Sequence, residues 1–211
     1  MTKVVVFDLY GTIIEQGLEK SPSKQVKKML GISKSFQEFI ETFQKDFMTL
    51  RHNTLEDAFR LVAEDFDVNP DQETFDALVG LWNKNALLSH LYEDTEPVLD
   101  ELSATHRIIL TANVSEFTFE QIDIKFDLRE RFDDTYLSFE TGVLKTSKEN
   151  LDALLLEEDV DAEEVLYVGD SLKSDIYPAR DHGLHTVLVD RRETREFEPK
   201  ITTLEDLHIY I

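Results

Sequence analysis

The chain contains no cysteine. That absence excludes disulfides and thiolate metal sites. It also lacks any apolar run of the ~20 residues needed to cross a bilayer. Met1-Thr2-Lys3 leads straight into a strand pattern, so no signal peptide and no membrane partner are expected, and a cytoplasmic location is the default. Basic residues are scarce: 22 Lys and Arg stand against 44 Asp and Glu, a formal net charge of −22. Such a surface repels phosphate backbones, which argues against a nucleic-acid partner. The acids are spread along the chain rather than gathered in a tail. They read as a solvated acidic surface, or as adaptation to a salt-rich cytosol in which screening relaxes self-repulsion. No internal repeat, low-complexity tract or Gly/Ser linker is present, and the sequence carries no signal of oligomeric state.

What is present is ample for a core. The 211 residues are 41% hydrophobic, enough for one domain or one domain with a lid. Short β-branched runs at Val4–Phe7, Ile108–Thr111, Val165–Gly169 and Thr186–Asp190 read as strands, with a further one near Thr135–Phe139. Helical patterns at Thr95–Ala104, Ser115–Ile124, Ser147–Leu156 and Asp175–His182 fall between or after them, with Pro178 tolerable in a first turn. Strands alternating with helices imply parallel crossovers with helices on both faces of a sheet.

Residues from about Glu15 to Ser89 break that alternation. Phe36, Phe39, Ile40, Phe43, Phe47 and Leu50 share one helix face, and Leu55, Phe59, Val62 and Phe66 a second. Asn69-Pro70 reads as a cap and first-turn proline opening a third helix through Phe75, Leu78, Val79, Trp82 and Ala86. The segment is therefore an all-helical insertion, expected at residues 15–91, between core pieces at 1–14 and 92–211. Its phenylalanine stripe reads as core rather than as a ligand pocket.

Chemistry gathers at strand ends. Asp8, Gly11 and Thr12 follow the first strand. Thr111, Ala112 and Asn113 follow the second, Lys145 opens a later loop, and Gly169-Asp170-Ser171-Leu172-Lys173-Ser174-Asp175 follows another strand. In a parallel sheet those ends converge on one crevice. Asp170 and Asp175 are also suited to capping a helix, and Lys145 to an exposed loop. Asp8 is harder to explain structurally, because a buried strand rarely ends on an unpaired carboxylate. The six histidines are scattered and have no metal-ligand spacing.

These four motifs, in this order and spacing, resemble those of the haloacid dehalogenase-like hydrolase superfamily. The first is Asp8-Leu9-Tyr10-Gly11-Thr12, the second Thr111 to Asn113, the third Lys145 and the fourth Gly169-Asp170 to Asp175. The resemblance covers essentially the whole chain. It implies an α/β fold, a doubly wound, Rossmann-like parallel sheet carrying a helical-bundle cap. It also implies a nucleophilic Asp8 that forms a covalent aspartyl intermediate. Mg²⁺ would be held by Asp8, Asp170 and the Tyr10 carbonyl, with Asp175 supporting it. Lys145 and Thr111 would clamp phosphoryl oxygens, with Gly11, Thr12 and Asn113 around the bound group. The implied activity is phosphomonoester hydrolysis of a small phosphorylated metabolite.

Two positions depart from the family pattern. Its phosphatases usually carry a second aspartate two residues after the nucleophile, as acid and then base; here Tyr10 stands there, and a phenol is a poor base at neutral pH. Tyrosine is what the family's metal-independent 2-haloacid dehalogenases show, since a departing halide needs no proton. Those enzymes, however, carry small polar residues where this chain keeps Asp170, and an arginine early in the cap, where Glu15–Leu50 has none; the first arginine in the chain is Arg51. Ala112 further separates Thr111 from Asn113, where the family pattern often joins hydroxyl and Asn directly. Phosphatase is therefore the leading expectation. Dehalogenase and a non-catalytic binding protein on the same fold are the alternatives, and fold does not choose among them.

Overall fold

The computed structural model describes residues 2–145 and 147–211; Met1, counted above in the first core piece, lies outside them. The first strand, β1 (Val4–Asp8), is buried along its whole length. A strand covered on both faces needs no polar alternation, which is why its sequence is a continuous apolar run. Val5 and Phe7 enter one hydrophobic cluster, and Val4 and Val6 another on the opposite side of the sheet. The chain then turns: the Ile13 and Ile14 amides both donate to the Leu9 carbonyl at 3.0 Å. After the turn comes β2 (Ile14–Glu15).

Four helices follow, α1 (Pro22–Met29), α2 (Phe36–Met48), α3 (Leu55–Asp65) and α4 (Gln72–Leu88). Phe39, Phe43, Phe47, Phe59 and Trp82 close a separate aromatic core among them, with the Phe43 and Phe47 rings stacked at 4.8 Å. The phenylalanine stripe is thus core, each such ring stabilising the bundle by about 1.5–3 kcal/mol of apolar burial. Ser35 and Thr54 cap α2 and α3 with reciprocal bonds to Glu38 and Asp57. Three details differ from the sequence-based expectation. Helix α1 has no counterpart in it. Helix α4 is capped by Asp71, whose Oδ1 accepts the Thr74 amide at 2.9 Å, not by Asn69-Pro70. Leu50 falls beyond the end of α2 and is exposed.

The chain returns through β3 (His90–Leu91), which pairs antiparallel with β2. This two-rung ribbon is the crossing between helical bundle and sheet. There follow α5 (Thr95–Ser103), β4 (Arg107–Ala112), α6 (Glu116–Phe126), α7 (Leu128–Arg131), β5 (Asp134–Leu137) and a helical turn, α8 (Ser138–Thr141). The fifth strand therefore stops at Leu137, short of the expected Phe139. Next come α9 (Lys148–Glu157), β6 (Val165–Gly169), a wide turn at Leu172–Ile176, α10 (Tyr177–Asp181), β7 (His185–Val189) and β8 (Lys200–Ile201). The helix expected over Asp175–His182 is divided: Ser171 caps the wide turn, and Pro178 sits in the first turn of α10.

All strands of the main sheet run parallel, in the order β5-β4-β1-β6-β7-β8. Helices α5 and α6 pack on one face, α9 and α10 on the other. The order reverses direction at β1, so the crevice beyond its carboxyl end lies where open α/β sheets place ligands. Among the described residues no helix is long and apolar enough to cross a membrane.

Candidate active site

Asp8 is the last residue of β1, pairs in register with Thr111 of β4 and is 4% exposed. Its Oδ1 accepts a hydrogen bond from Lys145 Nζ, and its Oδ2 one from the Thr12 hydroxyl at 3.2 Å. Lys145 is also buried, and its Nζ lies 2.7 Å from Asp175 Oδ1 as an ion pair. Burial alone would lower the lysine pKa. Asp175 and Asp8 outweigh it and hold the ammonium well above its ordinary value. The Asn113 side chain fixes the loop, its Oδ1 accepting the Lys145 amide at 2.8 Å.

Two glycines make room for the acids. A Cβ on Gly169 would lie 2.5 Å from the Asp175 carboxyl carbon, and one on Gly11, whose φ is +87°, 2.5 Å from Asp170 Oδ2. Asp175 Oδ2 in turn accepts the Ser171 amide at 2.8 Å. Carboxylate oxygens of Asp8, Asp170 and Asp175 all lie within 4.8 Å of one another. Burial, with the negative charges of Asp8 and Asp175, raises the Asp170 pKa to about 7. Burial raises Asp175 to about 6, against the opposing pull of Lys145 and with a further push from Asp8. The cluster thus carries more negative charge than Lys145 alone balances.

A hard divalent cation with oxygen ligands answers that surplus, so the donor set fits Mg²⁺. Among the described residues no backbone hydrogen bond engages the Tyr10 carbonyl, which leaves it available as a further oxygen ligand. A buried donor, Asn113 Nδ2, has no partner among the described residues and lines the cavity in front of Asp8. An anionic oxygen in that cavity would satisfy it.

The other expected residues divide. Asn113 lines the cavity. Thr111 is fully buried, and its hydroxyl donates to the Tyr136 carbonyl at 3.3 Å. It points to the face of the sheet that carries Ile109, while Ala112 lines the cavity in its place. The predicted Thr111 phosphoryl clamp is therefore not formed here. The Tyr10 phenol oxygen is buried beside Ser89 without a hydrogen bond, and burial raises its pKa, so the hydroxyl remains neutral. Thr12 reaches Asp8 rather than the cavity, and Gly11 serves by its lack of a side chain.

Sequence reading missed two residues. Tyr167 lies on β6 beside Val6, its buried phenol close to Lys145, Asp175 and Asp8; a lone phenol in an apolar strand was its only signal. Arg195, from the loop after β7, donates to the Asp170 carbonyl, and its Nη2 is 4.0 Å from Asp170 Oδ2. No local pattern marks it.

A family model described as haloacid dehalogenase-like hydrolase matches residues 2–183. The chain belongs to the haloacid dehalogenase-like hydrolase family. Its fold is shared with a 2-haloacid dehalogenase from Pseudomonas syringae pv. Tomato DC3000, at 17% identity and TM-score 0.66 over 99% of this chain and 97% of the other. It is likewise similar to the putative hydrolase YfnB of Bacillus subtilis, solved with magnesium, at 19% identity and TM-score 0.66 over 99% and 98%. A phosphatase of the family from Thermococcus onnurineus matches at 21% identity and TM-score 0.65 over 99% and 97%. No curated protein sequence matches the chain. Relatives of both chemistries share the architecture of this hydrolase, so the choice between them rests on the site.

Proposed function

We propose that this hydrolase is a Mg²⁺-dependent phosphatase acting on a small phosphomonoester through Asp8. The observation that carries the reading is the trio of Asp8, Asp170 and Asp175 within 4.8 Å, a charge surplus that suits a divalent cation. Asp8, Asp170 and the Tyr10 carbonyl would hold the ion, with Asp175 behind them. Bound there, Mg²⁺ supplies charge neutralisation for the phosphoryl oxygens.

The rest falls to the chain's own residues. Lys145 and Thr12 hold the Asp8 carboxylate for attack on phosphorus. Asn113 Nδ2 donates to a phosphoryl oxygen, and Lys145 draws off developing negative charge. Attack forms an aspartyl phosphate at Asp8 as the ester P–O bond breaks and the leaving oxygen takes its proton from solvent; water then adds to phosphorus, releasing inorganic phosphate and regenerating the carboxylate. Tyr10 gives no carboxyl group to protonate the leaving oxygen or to activate that water. Turnover is accordingly slow for alkyl esters and faster where the leaving group departs without a proton. In this reading residues 1–14 and 92–211 form the catalytic core and 15–91 the cap.

The test is phosphate release from acetyl phosphate and an aryl phosphate, with and without Mg²⁺, using Asp8→Asn as control. Mg²⁺-dependent release that the variant loses supports the reading. One observation favours a second reading, metal-free 2-haloacid dehalogenation: the neutral Tyr10 phenol where a phosphatase would keep a carboxylate. Halide release from chloro- and bromo-acids that persists in chelator, with no phosphate release, would establish it instead.

A further inference from the structure

The cavity in front of Asp8 is divided by chemistry. Asp8, Lys145 and Asp170 form its floor and are its only charged lining residues among those described. Its roof, from the hinge and helical bundle, includes Gln16, Ser23, Ile40, Gln44, Trp82 and Asn85. No charge reaches the roof, in a chain in which 31% of residues are charged. The cations around it lie outside its lining. Arg51 pairs with Glu116 and lies over the Phe139 ring. Lys173 donates to Gln37, and Arg191 to Asp94 and the Thr12 carbonyl. Arg195, which donates to the Asp170 carbonyl, lines with Arg192 an adjoining cavity that meets this one at Tyr10, Gln16 and Asp170.

A charged group carried under that roof would lose its water and gain no counter-charge, a cost of several kcal/mol. Hydroxyls fare differently. Gln44 has no side-chain hydrogen bond among the described residues. Asn85 uses Oδ1 to accept the Leu18 amide at 3.2 Å, leaving its NH₂ for another partner. Trp82 spends its N–H on Thr118 at 2.8 Å and offers only an apolar face. The space under the roof measures about 200 Å³, below the roughly 300–1,000 Å³ of clefts that take drug-sized ligands, and a cavity of about 660 Å³ adjoins it at Tyr10, Gln16 and Asp170.

We propose that among alkyl phosphates the site selects the monoester of a small, uncharged, hydroxylated alcohol, whose hydroxyls are read by Gln44 and Asn85; this rests on the phosphatase reading above. The roof thereby sets specificity by neutrality as well as by size.

The test compares kcat/KM of the full chain with Mg²⁺ for glycerol phosphate, phosphoglycolate, phosphoethanolamine and a nucleoside 5′-monophosphate. All four leave as alkoxides, so the missing acid at position 10 weighs on them alike. Glycerol phosphate is expected to lead each of the others by ~10-fold or more. Gln44→Lys should then move the ratio of phosphoglycolate to glycerol phosphate upward by about tenfold, and Gln44→Glu should do the same for phosphoethanolamine. Equal or better turnover of a charged ester or of the nucleotide overturns the proposal, as do ratios that neither variant moves. Release from acetyl or aryl phosphate without release from glycerol phosphate overturns it while the phosphatase reading stands. No release from any ester overturns both.

Discussion

Lys145 stands between Asp8 and Asp175, donating to one and 2.7 Å from the other. A single buried ammonium thus serves the nucleophile and the acid behind it. Lys145→Met should leave two buried carboxylates without their cation. Removing one partner of a buried pair costs about 3–5 kcal/mol. In a chain of this size that lowers Tm by roughly 6–20 °C. Calorimetry should also show part of the loss restored by Mg²⁺, and phosphate release should fall by ~100-fold or more. A variant as stable and active as the parent would remove Lys145 from the site.

Mg²⁺ is expected to stabilise the parent chain, by about 2.7 kcal/mol at 100 times Kd. Asp170→Asn should abolish that shift, since it takes away a charged ligand. Thermal denaturation with and without Mg²⁺ reads the difference directly, with no need for turnover.

Gly11→Ala tests the same ligand from the other side. The new Cβ meets Asp170 Oδ2 at 2.5 Å and must adopt φ near +87°. Strain in that region costs of order 1–3 kcal/mol. Lower Tm together with weaker Mg²⁺ stabilisation is the expected pair of effects, whereas loss of Tm alone would mean that Asp170 yields without consequence.

Tyr10→Asp supplies the carboxyl group that the first motif lacks. General acid–base catalysis contributes ~10²–10⁴-fold. An increase of about 100-fold in release from an alkyl phosphate is expected, with much less for acetyl phosphate, whose leaving group needs no proton. The phenol now fills space beside Ser89, so Tm should fall. No gain on the alkyl ester would mean that chemistry is limited elsewhere.

Asp46, in α2, carries a pH dependence away from the catalytic centre. Burial, and then Asp65 by hydrogen bond and charge, raises its pKa from 3.8 to about 6. The folded state therefore binds this proton more tightly than the unfolded one. Its stabilising contribution is complete below about pH 4 and is lost as pH rises through about 6. Asp46→Asn should accordingly raise Tm at pH 7, by roughly 2–4 °C for each kcal/mol of relieved penalty, and change it little at pH 4.

Much of this architecture was legible because period and strand ends leave strong local marks. The apolar run ending on Asp8 announces a strand buried on both faces, and the 3.6-residue spacing of Phe36, Phe39, Phe43 and Phe47 announces a helix with one inward face. Asp8, Asp170 and Asp175 were legible by their place after strands, and Lys145 only by the order and spacing of the four motifs. Side-chain direction was not. Whether Thr111 or Ala112 faces the cavity depends on where β4 ends, and one residue of register reverses the answer. Arg195 reaches Asp170 across a loop that no periodicity governs. The Asp71 cap displaced Asn69-Pro70 because several residues in that stretch are good caps and only tertiary packing chooses among them.

The ribbon of Ile14–Glu15 against His90–Leu91 has an energetic consequence of its own. The aromatic core of the helical bundle and the two cores of the sheet are distinct clusters, joined by this narrow crossing and by the packing of α4 on α6. Across the mouth the bundle is fastened by individual bonds: Trp82 to Thr118, Arg51 to Glu116, and Ser138 to the Met48 carbonyl at 2.6 Å. Parting the two bodies breaks such bonds and also lifts Ala86 of α4 from the sheet's core and Phe117 of α6 from the bundle's. The seam between bundle and sheet is thus held by a few polar bonds and a thin apolar contact, far less burial than closes the aromatic core itself.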